Sequence, residues 1–111
     1  MEVFELLVVA PTERQRLDWV NILGHALSMI VGGFSAYEGL GGWKTGLDGV
    51  KCEPHYRIIA YCRDMSAQEV FSLMSRQISL YKDNCQQEVV LVVLNGEPIF
   101  MENIPETLMV G

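Results

Sequence analysis

Apolar residues follow two different periods along this chain, and the switches between them mark its elements. Residues 3–10 (VFELLVVA) are apolar on both parities and rich in Val and Leu, the pattern of a central strand covered on both faces. Pro11 ends that run. Thr12 with Gln15 three residues on forms a capping-box pattern, and Val20, Leu23, Leu27, Ile30 and Val31 follow at helical spacing, predicting a first helix over about residues 13–30. Gly32 and Gly33 stop it. Residues 34–43 then mix aromatic and small side chains, a strand interrupted by glycine near its end, before the turn signal TGLDG.

Residues 55–63 predict a third strand, with Tyr56, Ile58, Ala60 and Cys62 on one side and Arg57, Ile59, Tyr61 and Arg63 on the other. It pairs with the second strand as a hairpin. Ser66 with Glu69 is a second capping box, and Val70, Leu73 or Met74, Gln77 or Ile78, and Tyr81 predict a second amphipathic helix ending near Asp83-Asn84. The stretch QEVVLVVLNGEPIF supplies an almost wholly apolar strand, a two-residue type I′ turn at Asn95-Gly96, and a short partner strand carrying Pro98. Residues 103–111 read as a tail in which Ile104, Leu108 and Met109 need a neighbour.

This order is β-α-β-β-α-β with an added C-terminal hairpin strand, an α+β ferredoxin-like arrangement in which two helices cover one face of an antiparallel sheet. The other face is left bare. Phe4, Leu6 and Val8 alternate with Val3, Leu7 and Val9, and Val89, Leu91 and Val93 alternate with Val90, Val92 and Leu94. A single chain exposes one of these sets, more apolar sheet than soluble monomers usually tolerate, so a homo-oligomer is expected.

Composition narrows the partners. The 111 residues predict one domain, and half of them are hydrophobic. The formal net charge of −6 argues against a nucleic-acid polymer or an anionic membrane surface, because both demand an excess of Lys and Arg. An acidic start and apolar runs shorter than the roughly 20 residues of a membrane span point to the cytoplasm. Cys52, Cys62 and Cys85 lack a C-x-x-C pair, so reduced thiols are expected.

Element order and size resemble the oligomeric ferredoxin-like proteins, among them the PII signalling proteins and the CutA family, and the dimeric α/β-barrel proteins. A second resemblance spans nearly the whole chain: small ferredoxin-like proteins common in bacteriophages and mobile elements. Here it is carried by Ala10-Pro11-Thr12, Tyr37 to Trp43, Glu53-Pro54, and Gln87-Glu88 through Asn95-Gly96-Glu97 to Phe100. PII proteins bind nucleotides between subunits near a long hairpin loop. The resemblance therefore implies a small ligand at a subunit interface and, for a phage protein, an anti-defence role by sequestering a host signal.

The stretch GLGGWKTG, residues 39–46, looks like a phosphate cradle but fails as one. A P-loop needs glycine directly before its lysine, where this chain has Trp43. The dinucleotide fingerprint needs a third glycine where Lys44 stands. These glycines are expected to shape the hairpin backbone instead. Around them, Lys44, Lys51, Arg57 and Arg63 make residues 44–63 locally basic, and Tyr37, Trp43 and Tyr61 are close by. Such groups stack a base and pair a phosphate, so these seven form the candidate site for an anionic ligand. In the alternative reading Lys44 and Lys51 are solvated, Arg57 and Arg63 pair with Glu38 or a partner's acid, and Trp43 plugs an interface.

Catalytic groupings are sparse. Cys52 and His55 flank Pro54 on an extended path, His25 sits beside Gly24 in a helix, and Glu38 with Glu53 could pair for acid/base work or bridge to Arg57. Two histidines without carboxylates at ligand spacing imply no metal site, and no cofactor is implied. Two function classes remain: an oligomeric small-molecule-binding protein, and a small enzyme of the dimeric α/β-barrel kind. A protein-interaction module is the third reading.

Overall fold

The computed structural model describes residues 1–46 and 49–104. In chain order it contains β1 (Glu2–Val8), α1 (Glu13–Val31), β2 (Ser35–Thr45), β3 (Gly49–Cys62), α2 (Ala67–Asn84), β4 (Val90–Leu94) and β5 (Glu97–Met101). Every pair is antiparallel, in the order β2-β3-β1-β4-β5. This is the expected ferredoxin-like arrangement with one added strand. β1 is central because β3 and β4 flank it.

Both helices start where their capping boxes lie: Thr12 accepts from the Gln15 amide and Ser66 from the Glu69 amide. α1 ends at Gly32, whose φ of 96° places it in the left-handed region and whose N–H donates to the Ser28 carbonyl. Phe4, Leu6, Val8, Ile58, Ala60, Val90 and Val92 form the floor of the core, and Leu23, Leu27, Val70, Met74 and Ile78 cover them. The open alternatives in α2 thus resolve to Met74 and Ile78, while Leu73 is exposed. Ile104 is buried in this same core and needs no neighbour; Leu108 and Met109 lie outside the described residues.

Two polar pins hold the ends of β1. At its start one Glu2 carboxylate oxygen accepts from the Ala67 amide and the Asn95 side-chain amide, both at 2.9 Å. That ties β1 to the positive N-terminal end of α2 and to the β4–β5 turn. At its end the buried Tyr81 hydroxyl accepts from the Val9 amide at 2.7 Å and lies 3.1 Å from the Val9 carbonyl. The phenol satisfies backbone groups just beyond β1, where strand pairing has stopped. Edge-on packing against Trp19, with ring centroids 5.9 Å apart, fixes its angle.

The β2–β3 hairpin departs from expectation. β3 begins at Gly49 rather than near residue 55, and β2 runs unbroken to Thr45. Gly39, Gly41 and Gly42 keep ordinary φ values; the glycine with positive φ at this end is Gly46, at 61°. The physical reason lies across the strand. His55 is opposite Gly39, and a Cβ built on Gly39 would stand 2.6 Å from the imidazole Nε2. The missing side chains make room for the ring, a packing role rather than a turn role. β1 pairs with β3 only over Tyr56–Cys62, so residues 39–45 and 49–55 form a two-stranded arm beyond the sheet. Pro54 falls where β3 has a partner on one side only, which a strand tolerates.

Three outcomes follow from this packing. Asn95 and Gly96 have φ of 53° and 83°, as a type I′ turn requires, so Gly96→Val should cost about 1–3 kcal/mol in chemical denaturation. Hydrogen bonds from Asn95 and Ala67 hold the Glu2 carboxyl below the usual range. Its contribution is present above the ordinary glutamate pKa and lost as pH falls through the lowered folded value, so Glu2→Gln should flatten the acid limb of the stability curve. Parallel acid limbs would remove that role. Burial, reinforced by Arg57, lowers the His55 pKa; Gly39→Ala should push the ring outward and raise its NMR titration midpoint, and an unmoved midpoint would refute the packing role.

Candidate functional site

Register places a continuous set of side chains on the sheet face away from the helices. Tyr37 is opposite Arg57, and Arg57 opposite Leu7; Leu91 and Phe100 are paired on the far strands. A neighbouring row holds Ile59, Glu5, Val93 and Pro98. Glu5 is therefore a carboxylate among apolar neighbours in the middle of this face, on the same side as Arg57. Arg57 Nη1 lies 3.7 Å from its Oε1. This corrects the expected bridge from Arg57 to Glu38: strand alternation turns Glu38 to the opposite face, where it accepts from the Tyr56 hydroxyl at 3.1 Å.

A groove of about 580 Å³ opens at the edge of this bare face. Its apolar walls come from Leu7 and Val9 after the centre of β1, Val89 and Leu91 around β4, and Phe100 on β5. Phe100 is 69% exposed, so the groove has an uncovered aromatic rim. The α2–β4 connection closes one end with Gln86, Gln87 and Glu88, and the arm contributes Glu53. Gln86 takes a φ of 53° and Gln87 donates to the Lys82 carbonyl, a left-handed helix stop that sets this rim. Burial raises the Tyr81 pKa far above the phenol range. Its hydroxyl stays neutral and is committed to β1, so the ionisable groups facing the groove are Glu53 and Glu88.

The seven residues of the expected site do not converge. Tyr37 and Arg57 are cross-strand neighbours on the bare face, and Trp43 and Lys51 are paired on the arm, although the Trp43 side chain lies outside the described part. Lys51 sits 3.7 Å from Glu53. Lys44 pairs with Val50 on the opposite parity. Tyr61 and Arg63 line a separate cavity of about 350 Å³ beside Gly32 and Gly33 at the end of α1. Among the described residues Arg63 has no acidic partner.

The same alternation separates Cys52 from His55 and Glu38 from Glu53, since each pair is an odd number of steps off a shared face. Neither can act as a catalytic pair. Among the described residues no group of three or more His, Cys, Asp or Glu is placed to hold a metal ion, and no helix is long and apolar enough to cross a membrane. Sequence reading missed the groove residues Leu7, Leu91, Phe100 and Tyr81. They looked like ordinary strand or core positions, and only the one-sided helix layer leaves three of them lining an open groove.

No protein-family model matches the chain, and no curated protein matches it in sequence. Solved structures do resemble it. A phage SAM lyase in its apo state superposes with a TM-score of 0.60 at 15% identity, covering 90% of this chain and 83% of that one. A phage SAM lyase in complex with S-methyl-5'-thioadenosine gives a TM-score of 0.58 at 17% identity, covering 90% and 84%. A mutant of CutA1 from Pyrococcus horikoshii OT3 gives 0.50 at 11%, covering 99% and 92%. At these identities the likeness establishes a common ferredoxin-like fold, shared with a phage protein and with CutA1.

Proposed function

We propose that this chain is an oligomeric small-molecule-binding protein whose ligand occupies the groove between β1, β4 and the arm, at a subunit interface. The observation that carries this reading is the groove itself: about 580 Å³, apolar-walled, with an exposed aromatic rim and a few convergent polar groups, the usual make-up of a ligand site. Its charged lining is Glu53 and Glu88. Glu88, with Glu53 shared by Lys51, disfavours a phosphate and favours an amine or a cation, so the ligand class moves from the anionic nucleotide expected from sequence toward a nucleoside or cationic nucleoside derivative. The likeness to a fold that elsewhere holds S-methyl-5'-thioadenosine supports that class. Saturable binding without turnover fits sequestration by a phage protein; turnover fits the enzyme reading.

A second reading keeps the anion. Arg63 and Tyr61 share a cavity of about 350 Å³, and a guanidinium with no acidic partner among the described residues, beside an aromatic ring, suits a phosphate or carboxylate.

One thermal-shift screen separates these readings, using S-methyl-5'-thioadenosine, S-adenosylmethionine, AMP and cyclic dinucleotides. Under the groove reading the first two stabilise the protein, by about 2.7 kcal/mol at a hundredfold excess over Kd, and Glu53→Gln weakens the cationic ligand by roughly tenfold. Stabilisation by the anionic ligands alone, abolished by Arg63→Ala, would favour the second cavity. Release of S-methyl-5'-thioadenosine from S-adenosylmethionine, followed by chromatography, would make the protein an enzyme. No shift with any of the four would sink the groove reading for this ligand class.

A further inference from the structure

Strand β3 outruns its outer partner. It pairs with β1 as far as Cys62, but β2 joins it only from Ser35, opposite Ile59. The cause lies at the end of α1, where Gly32 stops the helix in the left-handed region and the Phe34 ring rests on Gly24, at a place an added Cβ would collide with it. That seat draws the chain toward the helix and off the β3 edge. Hydrogen bonds on β1 fix the backbone direction in the gap: the Val3 N–H donates to the Asn95 side-chain oxygen at 2.8 Å, and the Val3 carbonyl accepts from the Asn95 N–H at 2.9 Å. Both Val3 groups are spent on the β4 side, so Val3 and its partner Tyr61 form a non-hydrogen-bonded pair. The Tyr61 N–H and carbonyl therefore point outward into the gap, and among the described residues no backbone hydrogen bond from Gly33 or Phe34 reaches them. The cavity of about 350 Å³ fills this notch, lined by Gly32, Gly33, Ser35, Tyr61 and Arg63.

We propose that this notch docks an extended peptide segment of a partner protein, which enters as a short strand on β3 with an acidic side chain opposite Arg63 and an apolar one opposite Tyr61. This rests on the second reading above, in which Arg63 receives an anion, and deepens it by naming that anion as a carboxylate carried on a strand. An antiparallel segment continues the line of β2, and its residue opposite Tyr61 exchanges two hydrogen bonds with the outward N–H and carbonyl. Alternation fixes the rest. The residue two positions earlier in the segment stands opposite Arg63 on the same face, where its carboxylate meets a guanidinium that has no acidic partner among the described residues. The Tyr61 ring is 58% exposed and packs against a β-branched side chain across the strands. Ser35 sets the limit, since it already occupies the place opposite Ile59. The pattern taken is thus acid-x-apolar over the positions opposite Arg63 to Tyr61. A free phosphate satisfies Arg63 and leaves the Tyr61 backbone to water, whereas the segment engages both.

The test is an NMR titration of the full chain with the blocked tripeptide acetyl-Glu-Thr-Val-amide, read at the Tyr61 backbone amide, whose spectrum also shows that each variant is folded. The peptide should bind at about millimolar Kd, shift this amide and slow its hydrogen exchange. Methylating the valine nitrogen removes the N–H that donates to the Tyr61 carbonyl and should weaken binding by about threefold to tenfold. Replacing the peptide's glutamate by lysine should weaken it by a similar factor, and Arg63→Glu should invert that preference. A Tyr61 amide already protected in the free protein, or unmoved by the peptide at about ten millimolar, would overturn the docking. So would an N-methylated peptide that binds like its parent, or a charge preference that Arg63→Glu leaves unchanged. AMP separates the two levels of the reading: stabilisation by AMP that is lost in Arg63→Ala, with no response to the peptide, keeps the anion and removes the strand. Inverted peptide preference with AMP inert supports the strand and removes the nucleotide from this cavity.

Discussion

A central strand with two apolar faces and only one helix layer is the constraint on which this molecule depends. Phe4, Leu6 and Val8 of β1 are completely buried under the helices. The alternate residues Val3 and Leu7 lie on the face that carries no helix and are only part-buried. Apolar surface of this extent costs roughly 25 cal/mol per Å² while it stays in water. The groove, the exposed Phe100 rim and the uncovered arm are consequences of that imbalance.

The polar pins at the two ends of β1 tie this frame together beside the groove. Glu2 gathers the first strand, the start of α2 and the last turn into one cluster through two 2.9 Å hydrogen bonds. Tyr81 does the same at the other end, and it couples the groove wall at Leu7 and Val9 to the helical core. The groove therefore has a preorganised wall on the β1 side and a more exposed one on the Phe100 side.

Electrostatics divide the basic residues that the sequence groups together. Arg57 is paired with Glu5 and Lys51 with Glu53, Arg63 belongs to another cavity, and Lys44 lies on the outer face of the arm. Closeness in sequence along a strand spreads side chains over two faces and many ångströms, about 6.8 Å for each pair of residues. Glu5 and the carboxylates at the groove set the character of the bare face instead.

Local signals in the chain determined the elements themselves. Two capping boxes, the Gly32 stop, the Asn95-Gly96 turn and the parity of β1, β3 and β4 were all readable, because each depends on side chains within a few residues of one another. Element order then determined the ferredoxin-like sheet. Tertiary structure alone decided the rest. The arm continues through Gly39 and Gly41 because the His55 ring lies over them from the opposite strand. Glu5, not Glu38, receives Arg57 because register aligns them. The groove exists because residues from four strands and the α2–β4 connection, separated by up to 93 positions in sequence, converge at one end of the bare sheet face; no local pattern encodes a cavity whose walls come from such distant positions.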